Sequence, residues 1–284
     1  MSSLKPSEEK FEDYIEKKLI NLGFNSKHYD QFDRNLCLIK NDVINFIKNT
    51  QLEKWEKLQS KYGEETENNI LKRISSEISS RGIIDVLKNK IKDRGQYLDL
   101  CYFQPNSFLN PLHLKLYKEN NFTVVRQLHY SLKDEKSIDM VLFLNGLPIL
   151  TMELKNQFTG QNYKDSEKQY KTDRDPKETL LQFKRCIVHF CVDNNNVSMT
   201  TRLSGHKTLF LPFNKDFYNP EVKKGYRTQY LWQEVLTPNS LLDILENFVH
   251  ISCPKELIFN KKTEKVETKV KEILIFPRSP PIRS

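Results

Sequence analysis

The stretch that most constrains this chain is Ser137 to Asn156, SIDMVLFLNGLPILTMELKN. Two apolar runs flank Asn145 and Gly146, a dipeptide favoured in tight hairpin turns because both residues tolerate φ > 0. The stretch therefore reads as two strands joined by a turn. Asp139 opens the first strand, and Glu153 and Lys155 close the second. Burying three charges in an apolar hairpin is costly unless something compensates them. A bound metal or substrate is the compensation these residue types suggest.

Strand side chains alternate faces with period two, so the register decides whether the three charges meet. A plain two-residue loop pairs Leu144 with Leu147 and sets Asp139 opposite Met152, on the wrong face from Glu153. One more loop residue, or one bulge, pairs Leu144 with Pro148, sets Asp139 opposite Glu153 and leaves Lys155 on the same face. Gly146 suits the left-handed position of a three-residue loop, and Pro148 suits a strand start or bulge. The expectation is the odd-length connection. The two carboxylates then stand with Cβ atoms about 4.5 to 5.5 Å apart, a repulsive pair on a bare sheet. A divalent cation offsets that repulsion, and Mg²⁺ takes oxygen ligands while keeping waters for use as nucleophile, with Mn²⁺ as a substitute. Lys155, about 6.6 Å further along, can hold the attacking water or neutralise a phosphate. This is chemistry suited to phosphodiester hydrolysis. Against it stands chance, because an Asp followed by Glu-x-Lys arises readily, as a solvated strand edge, in a chain with 29% charged residues. The apolar setting favours the site, since the charges occupy positions where alternation would bury Val, Ile or Leu.

This hairpin resembles the core of the PD-(D/E)xK nucleases, and the wider text resembles the N-terminal endonuclease region of type I restriction enzyme R subunits. The likeness runs through RGIIDVLKNKIKDRG (Arg81 to Gly95), LNPLHLKLYKENNFTVVRQLHYS (Leu109 to Ser131) and EKSIDMVLFLNGLP (Glu135 to Pro148). It continues through ELKNQFTGQ, QYKTDRDP, FKRCIVHF, MTTRLSGHKTLFLPFNK and YLWQEVLTPNSLLDIL. The resemblance implies an α/β fold with a restriction-endonuclease-like core: a central mixed sheet flanked by helices. It implies Asp139 and Glu153 as metal ligands and Lys155 as the catalytic lysine. Ile138 stands where the family motif has a variable proline. Of the Gln-x-x-x-Tyr motif on the following helix, Tyr170 matches the tyrosine, but Ser166 takes the glutamine position and Gln169 sits beside the tyrosine. In such nucleases an acidic residue of the first helix can support the metal; Glu12 is the candidate here, although a solvated face is the commoner role for such a residue.

The resemblance also implies partners. These are double-stranded DNA and the modification and specificity subunits of a restriction complex, with ATP used only through motor domains that follow the nuclease. No G-x-x-x-x-G-K-[ST] loop occurs in this chain, so it has no cradle of that kind for nucleotide phosphates. The expected function is a metal-dependent DNA endonuclease module without sequence choice of its own, truncated before the translocase. The alternatives are a non-cutting remnant that binds DNA or docks on other subunits, and a stand-alone repair or resolvase-type nuclease.

Composition sets outer bounds. At 284 residues with 38% hydrophobic content, the chain can build a substantial core. Forty-five Lys plus Arg against 37 Asp plus Glu suit a polyanionic partner or plain solubility equally. Five cysteines without C-x-x-C spacing argue for a reducing compartment, with Cys186 and Cys191 as core thiols. The polar N-terminus and the absence of a long apolar run suggest a cytoplasmic location. His129, His189 and His206 show no ligand spacing.

A first helix is expected from about Ser7 to Gly23, presenting Phe11, Ile15, Leu19 and Leu22. A helical insertion is expected over about 41–95. Strands are expected at Phe122 to Tyr130, in the hairpin, at Cys186 to Val192 and at Val197 to Thr201, with a helix from Gln161 to Lys171. A further helix is expected from Ser240 to Val249. Lys168, Lys171, Arg174, Lys184 and Arg185 are candidates for a track along the DNA backbone. The nuclease domain is expected over 1–260, with 261–284 a charged linker and a Pro- and Ser-rich tail.

Overall fold

The computed structural model describes residues 6–105, 110–157, 160–260 and 265–279. The apolar stripe Phe11, Ile15 and Leu19 forms the buried face of α1 (Pro6–Asn21), while Leu22 lies past its end, 37% exposed. A short strand β1 (Asn25–Lys27) follows. The insertion consists of α2 (Lys40–Thr50), α3 (Leu52–Tyr62), α4 (Thr66–Arg81) and α5 (Ile83–Lys88). Val43, Ile47, Trp55, Leu58, Ile70, Ile74 and Ile78, apolar residues at helical spacing, are all buried there. A small hairpin, β2 (Ile91–Asp93) and β3 (Gln96–Leu98), closes this region. Then α6 (Pro111–Lys118) starts at Asn110, whose side chain accepts from the backbone N–H groups of Leu112 and His113, with proline at the first helical position.

The remaining core strands are β4 (Phe122–His129), β5 (Ser137–Leu144), β6 (Leu147–Leu154), β7 (Val188–Val192), β8 (Val197–Thr200) and β9 (Leu211–Pro212). Together with β1 they form a seven-stranded mixed sheet in the order β1-β4-β5-β6-β7-β8-β9. Its β6 and β7 are parallel and are joined through α7 (Tyr163–Thr172), which opens on an Asn162/Asp165 capping box. One face of the sheet packs against α1 and the insertion helices. The other carries a smaller core of Val125, Phe143, Tyr170, Leu181 and Cys191. Cys186 and Cys191 are buried free thiols. Among the described residues no helix is long and apolar enough to cross a membrane.

The hairpin departs from the expected odd-length loop. Asn145 (φ 51) and Gly146 (φ 82) make a two-residue turn, and Leu144 pairs with Leu147. The extra residue enters one step later, as a bulge at Ile149: Phe143 pairs with Pro148 and Leu142 with Leu150. The physical reason lies outside the hairpin. Gly146 is pressed against the start of α2, where an added Cβ would come 2.5 Å from the Ile39 carbonyl oxygen. Asn145 is fully buried, donating to Leu100 O (2.9 Å) and accepting from Asn121 N (2.7 Å). A turn so tightly held has no room for a third residue. Beyond the bulge Met140 faces Met152, and the same register carried one residue further sets Asp139 across from Glu153.

The C-terminal expectation also changes. After α8 (Pro238–Asp243) the helix continues only as a wide turn through Ile244–Phe248. Strands β10 (His250–Ser252), β11 (Lys255–Asn260), β12 (Lys265–Val270) and β13 (Ile273–Ile275) then follow. Part of the expected linker is therefore folded: β11 pairs with β12 and β10 with β13, and Leu274 and Phe276 are buried, the latter edge-on to Phe190. Residues 261–264 and 280–284 of that linker and tail lie outside the described residues.

Candidate active site

The open end of the hairpin gathers charge. Glu153 closes β6 and is fully buried, and Asp139 near the start of β5 is 6% exposed. Asp139 Oδ2 accepts from the backbone N–H of Leu154 at 2.7 Å, which fixes its side chain across the strand end. Glu153 Oε1 accepts from Arg174 Nε at 2.7 Å, whereas Oε2 is buried with no hydrogen-bond partner among the described residues. Burial raises the Glu153 pKa to about 8; Arg174 pulls it down and the Asp139 charge pushes it up. Lys155, 9% exposed, donates its backbone N–H to Val192 O at 2.9 Å. Its Nζ makes no hydrogen bond or ion pair among the described residues, and its charge acts on Glu153.

Glu12 joins this group from α1. It is 1% exposed, and burial together with the Asp139 charge raises its pKa to about 8. Arg126 Nε donates to its Oε2 (3.3 Å) and Gln127 Nε2 to its Oε1 (2.9 Å). Gln127 also donates to Asp139 Oδ1 at 3.3 Å, bridging the two carboxylates. Its φ of 46° is left-handed, an uncommon conformation for a non-glycine residue inside a strand, and it interrupts the pairing between Arg126↔Met140 and Leu128↔Ile138. Sequence reasoning missed Gln127. Thr123, Arg126 and His129 are polar positions of the same strand, so no local signal singled it out.

On α7, Tyr170 is fully buried and its hydroxyl lies 2.7 Å from Thr151 Oγ1, which in turn lies 2.7 Å from His189 Nδ1. Burial lowers the His189 pKa to about 3, so the ring is neutral. Ser166 Oγ donates to the Glu153 carbonyl oxygen (3.2 Å). Ser166 and Tyr170, one turn apart, thus fasten α7 to the strand that carries Glu153. Gln169 makes no side-chain hydrogen bond among the described residues.

The five cations proposed for a backbone track do not line one surface. Lys168 is exposed and Lys171 lies over the Phe210 ring (5.6 Å). Arg174 turns inward onto Glu153, and Lys184 pairs with Glu272 at 2.8 Å. Arg185 is 2% exposed and donates to Ser75 O and Leu36 O, tying the insertion to the sheet. An arginine so committed is structural, which corrects its assignment as a phosphate contact. His129 pairs with Glu135. An open cleft of about 790 Å³ lined by Thr200, Arg202, Lys207 and Leu274 includes none of Glu12, Asp139 and Glu153.

Among the described residues no group of three or more His, Cys, Asp or Glu side chains is placed to hold a metal ion. What the open end does offer is two carboxyl groups, one with an oxygen unpartnered among the described residues, beside the Lys155 ammonium, which makes no hydrogen bond or ion pair among them. The class these features define is a mixed α/β protein whose sheet and flanking helices are compatible with a nuclease-like core. Residues 5–208 match the family model of the type I restriction enzyme R protein N terminus, and the chain belongs to that family. It is similar to a Methanocaldococcus jannaschii protein named as the type I restriction enzyme MjaVIIIP endonuclease subunit, 22% identical over 84% of this chain and 22% of that relative. A second protein of the same organism, named as the MjaIXP endonuclease subunit, is 24% identical over 62% of this chain and 18% of its own length. The chain thus spans about a fifth of the length of the curated relatives it matches.

Proposed function

We propose that the chain is the DNA-cleaving module of a type I restriction system, with a PD-(D/E)xK site at the open end of the β5–β6 hairpin. The observation that carries this reading is Glu153 Oε2, a buried carboxyl oxygen without a partner among the described residues, on a strand position across from Asp139. A native core rarely leaves such an atom unpaired, and a bound ion is one of the few explanations. The residues fit a hard cation that takes two carboxylates and keeps its waters, as Mg²⁺ does and Mn²⁺ can. Asp139 and Glu153 would hold it, and Glu12 would support it through Gln127. When bound, such a cation polarises a phosphoryl oxygen and lowers the pKa of water.

Lys155 holds the attacking water or neutralises charge on the scissile phosphate, its Nζ being uncommitted among the described residues. Ser166 and Tyr170 position β6 through α7. The substrate is double-stranded DNA, contacted through phosphates without base readout, and other subunits supply the sequence choice. The test is nicking of supercoiled plasmid by the purified chain in Mg²⁺ or Mn²⁺. Cleavage that is lost in Asp139→Ala and in Lys155→Ala supports the reading; cleavage that survives both overturns the site.

A further inference from the structure

Arg174 belongs to the QYKTDRDP stretch, where a phosphate contact was expected, yet it is 6% exposed and faces into the protein. Its burial follows from the local chain: α7 ends at Thr172 and Pro176 blocks any continuation, so the turn between them folds Arg174 back beneath β6. Its Nε donates to Glu153 Oε1 at 2.7 Å, and the Asp139 and Tyr130 side chains also act on its charge. A carboxylate has two oxygens and about four lone-pair sites, so one held by a guanidinium on Oε1 can still bind a cation through Oε2.

We propose that Arg174 is a positioning residue: by clamping Oε1 it fixes the Glu153 rotamer and presents Oε2 alone toward a divalent cation shared with Asp139. The inference rests on the metal-site reading above and adds a residue to it. Without the clamp, Glu153 can turn toward other donors or approach the cation through either oxygen. The cation then loses a fixed ligand.

The experiment is a titration of the full chain with Mn²⁺ alone, without DNA, in which the free ion is followed by electron paramagnetic resonance. Wild type, Arg174→Met, Arg174→Lys and Glu153→Gln are compared, with circular dichroism as the check on folding. The expected result is Mn²⁺ binding weakened about tenfold or more in Arg174→Met, the range seen when groups that orient metal ligands are removed. Arg174→Lys, which keeps the charge but loses the Nε contact, should fall between. Folded Arg174→Met that binds Mn²⁺ as tightly as wild type, or more tightly, overturns the clamp while leaving the metal site standing. If Arg174→Met does not fold, Arg174→Lys decides: weaker binding supports the clamp, and equal or tighter binding overturns it. Failure of folded wild type to bind, matching Glu153→Gln, overturns the metal site and the clamp together.

Discussion

The two ends of the β5–β6 hairpin are built from the same two strands and treat polar groups in opposite ways. At the turn, Asn145 is fully buried with its amide donors and its acceptor in use. At the open end, the Asp139 charge acts on both Glu12 and Glu153, Glu153 Oε2 has no partner among the described residues and Gln127 is held in a left-handed conformation. A fully paired polar group costs little in a core, and an unpaired one costs of the order of 1 to 3 kcal/mol. The turn end therefore reads as stability and the open end as function, since local rules tend to be broken at functional sites.

The largest expected effect sharpens that contrast at the open end. Lys155→Ala should lower plasmid nicking by about 100-fold or more while leaving the urea unfolding midpoint close to wild type. A variant that loses activity and stability together would make Lys155 a structural residue instead. At the turn the balance reverses. Gly146→Ala must place a Cβ against the Ile39 carbonyl at φ 82°. The left-handed conformation costs about 1 to 2 kcal/mol and the overpacking about 1 to 3. Urea titration should show a loss of several kcal/mol, and a neutral substitution would contradict the account of the two-residue turn.

The pH dependence of stability separates the ends again. Glu12 and Glu153 have folded pKa values of about 8, above their ordinary value of 4.5. Each takes up a proton more readily folded than unfolded, so its contribution to stability is fully present below about 4.5 and is lost as pH rises through about 8. Without metal, thermal stability should fall across that window, and Glu12→Gln should flatten the fall. Added Mg²⁺ should restore most at the alkaline end, where both carboxylates are ionised. An unchanged slope in Glu12→Gln would remove Glu12 from the cluster. The smallest expected effect is that of Tyr170→Phe, which breaks one buried hydrogen bond to Thr151 and should cost about 1 kcal/mol by the same urea titration.

Much of this was legible in the sequence. Alternation and turn residues marked β4 to β8, helical spacing marked α1, α7 and the insertion, and the charges at the hairpin ends marked the candidate site. What escaped depended on contacts distant in the chain. The bulge at Ile149 arises because Gly146 meets Ile39, more than 100 residues earlier, and no local pattern reveals that. The inward turn of Arg174 and the left-handed Gln127 are likewise set by buried carboxylates on other elements, whereas a surface lysine or arginine in the same text would look identical. Strand β13 lies in the stretch expected as linker and tail, although apolar residues such as Leu274 and Phe276 are ones a core would claim.

The central claim is that the open end of the hairpin holds a divalent cation between Asp139 and Glu153. Its most direct test is anomalous diffraction from crystals of the chain soaked in Mn²⁺. The account predicts an anomalous peak at about 2.2 Å from an oxygen of each carboxylate, with Glu153 Oε2 the contacting atom and Arg174 still on Oε1. No peak there, at a Mn²⁺ concentration that supports nicking in solution, would contradict it.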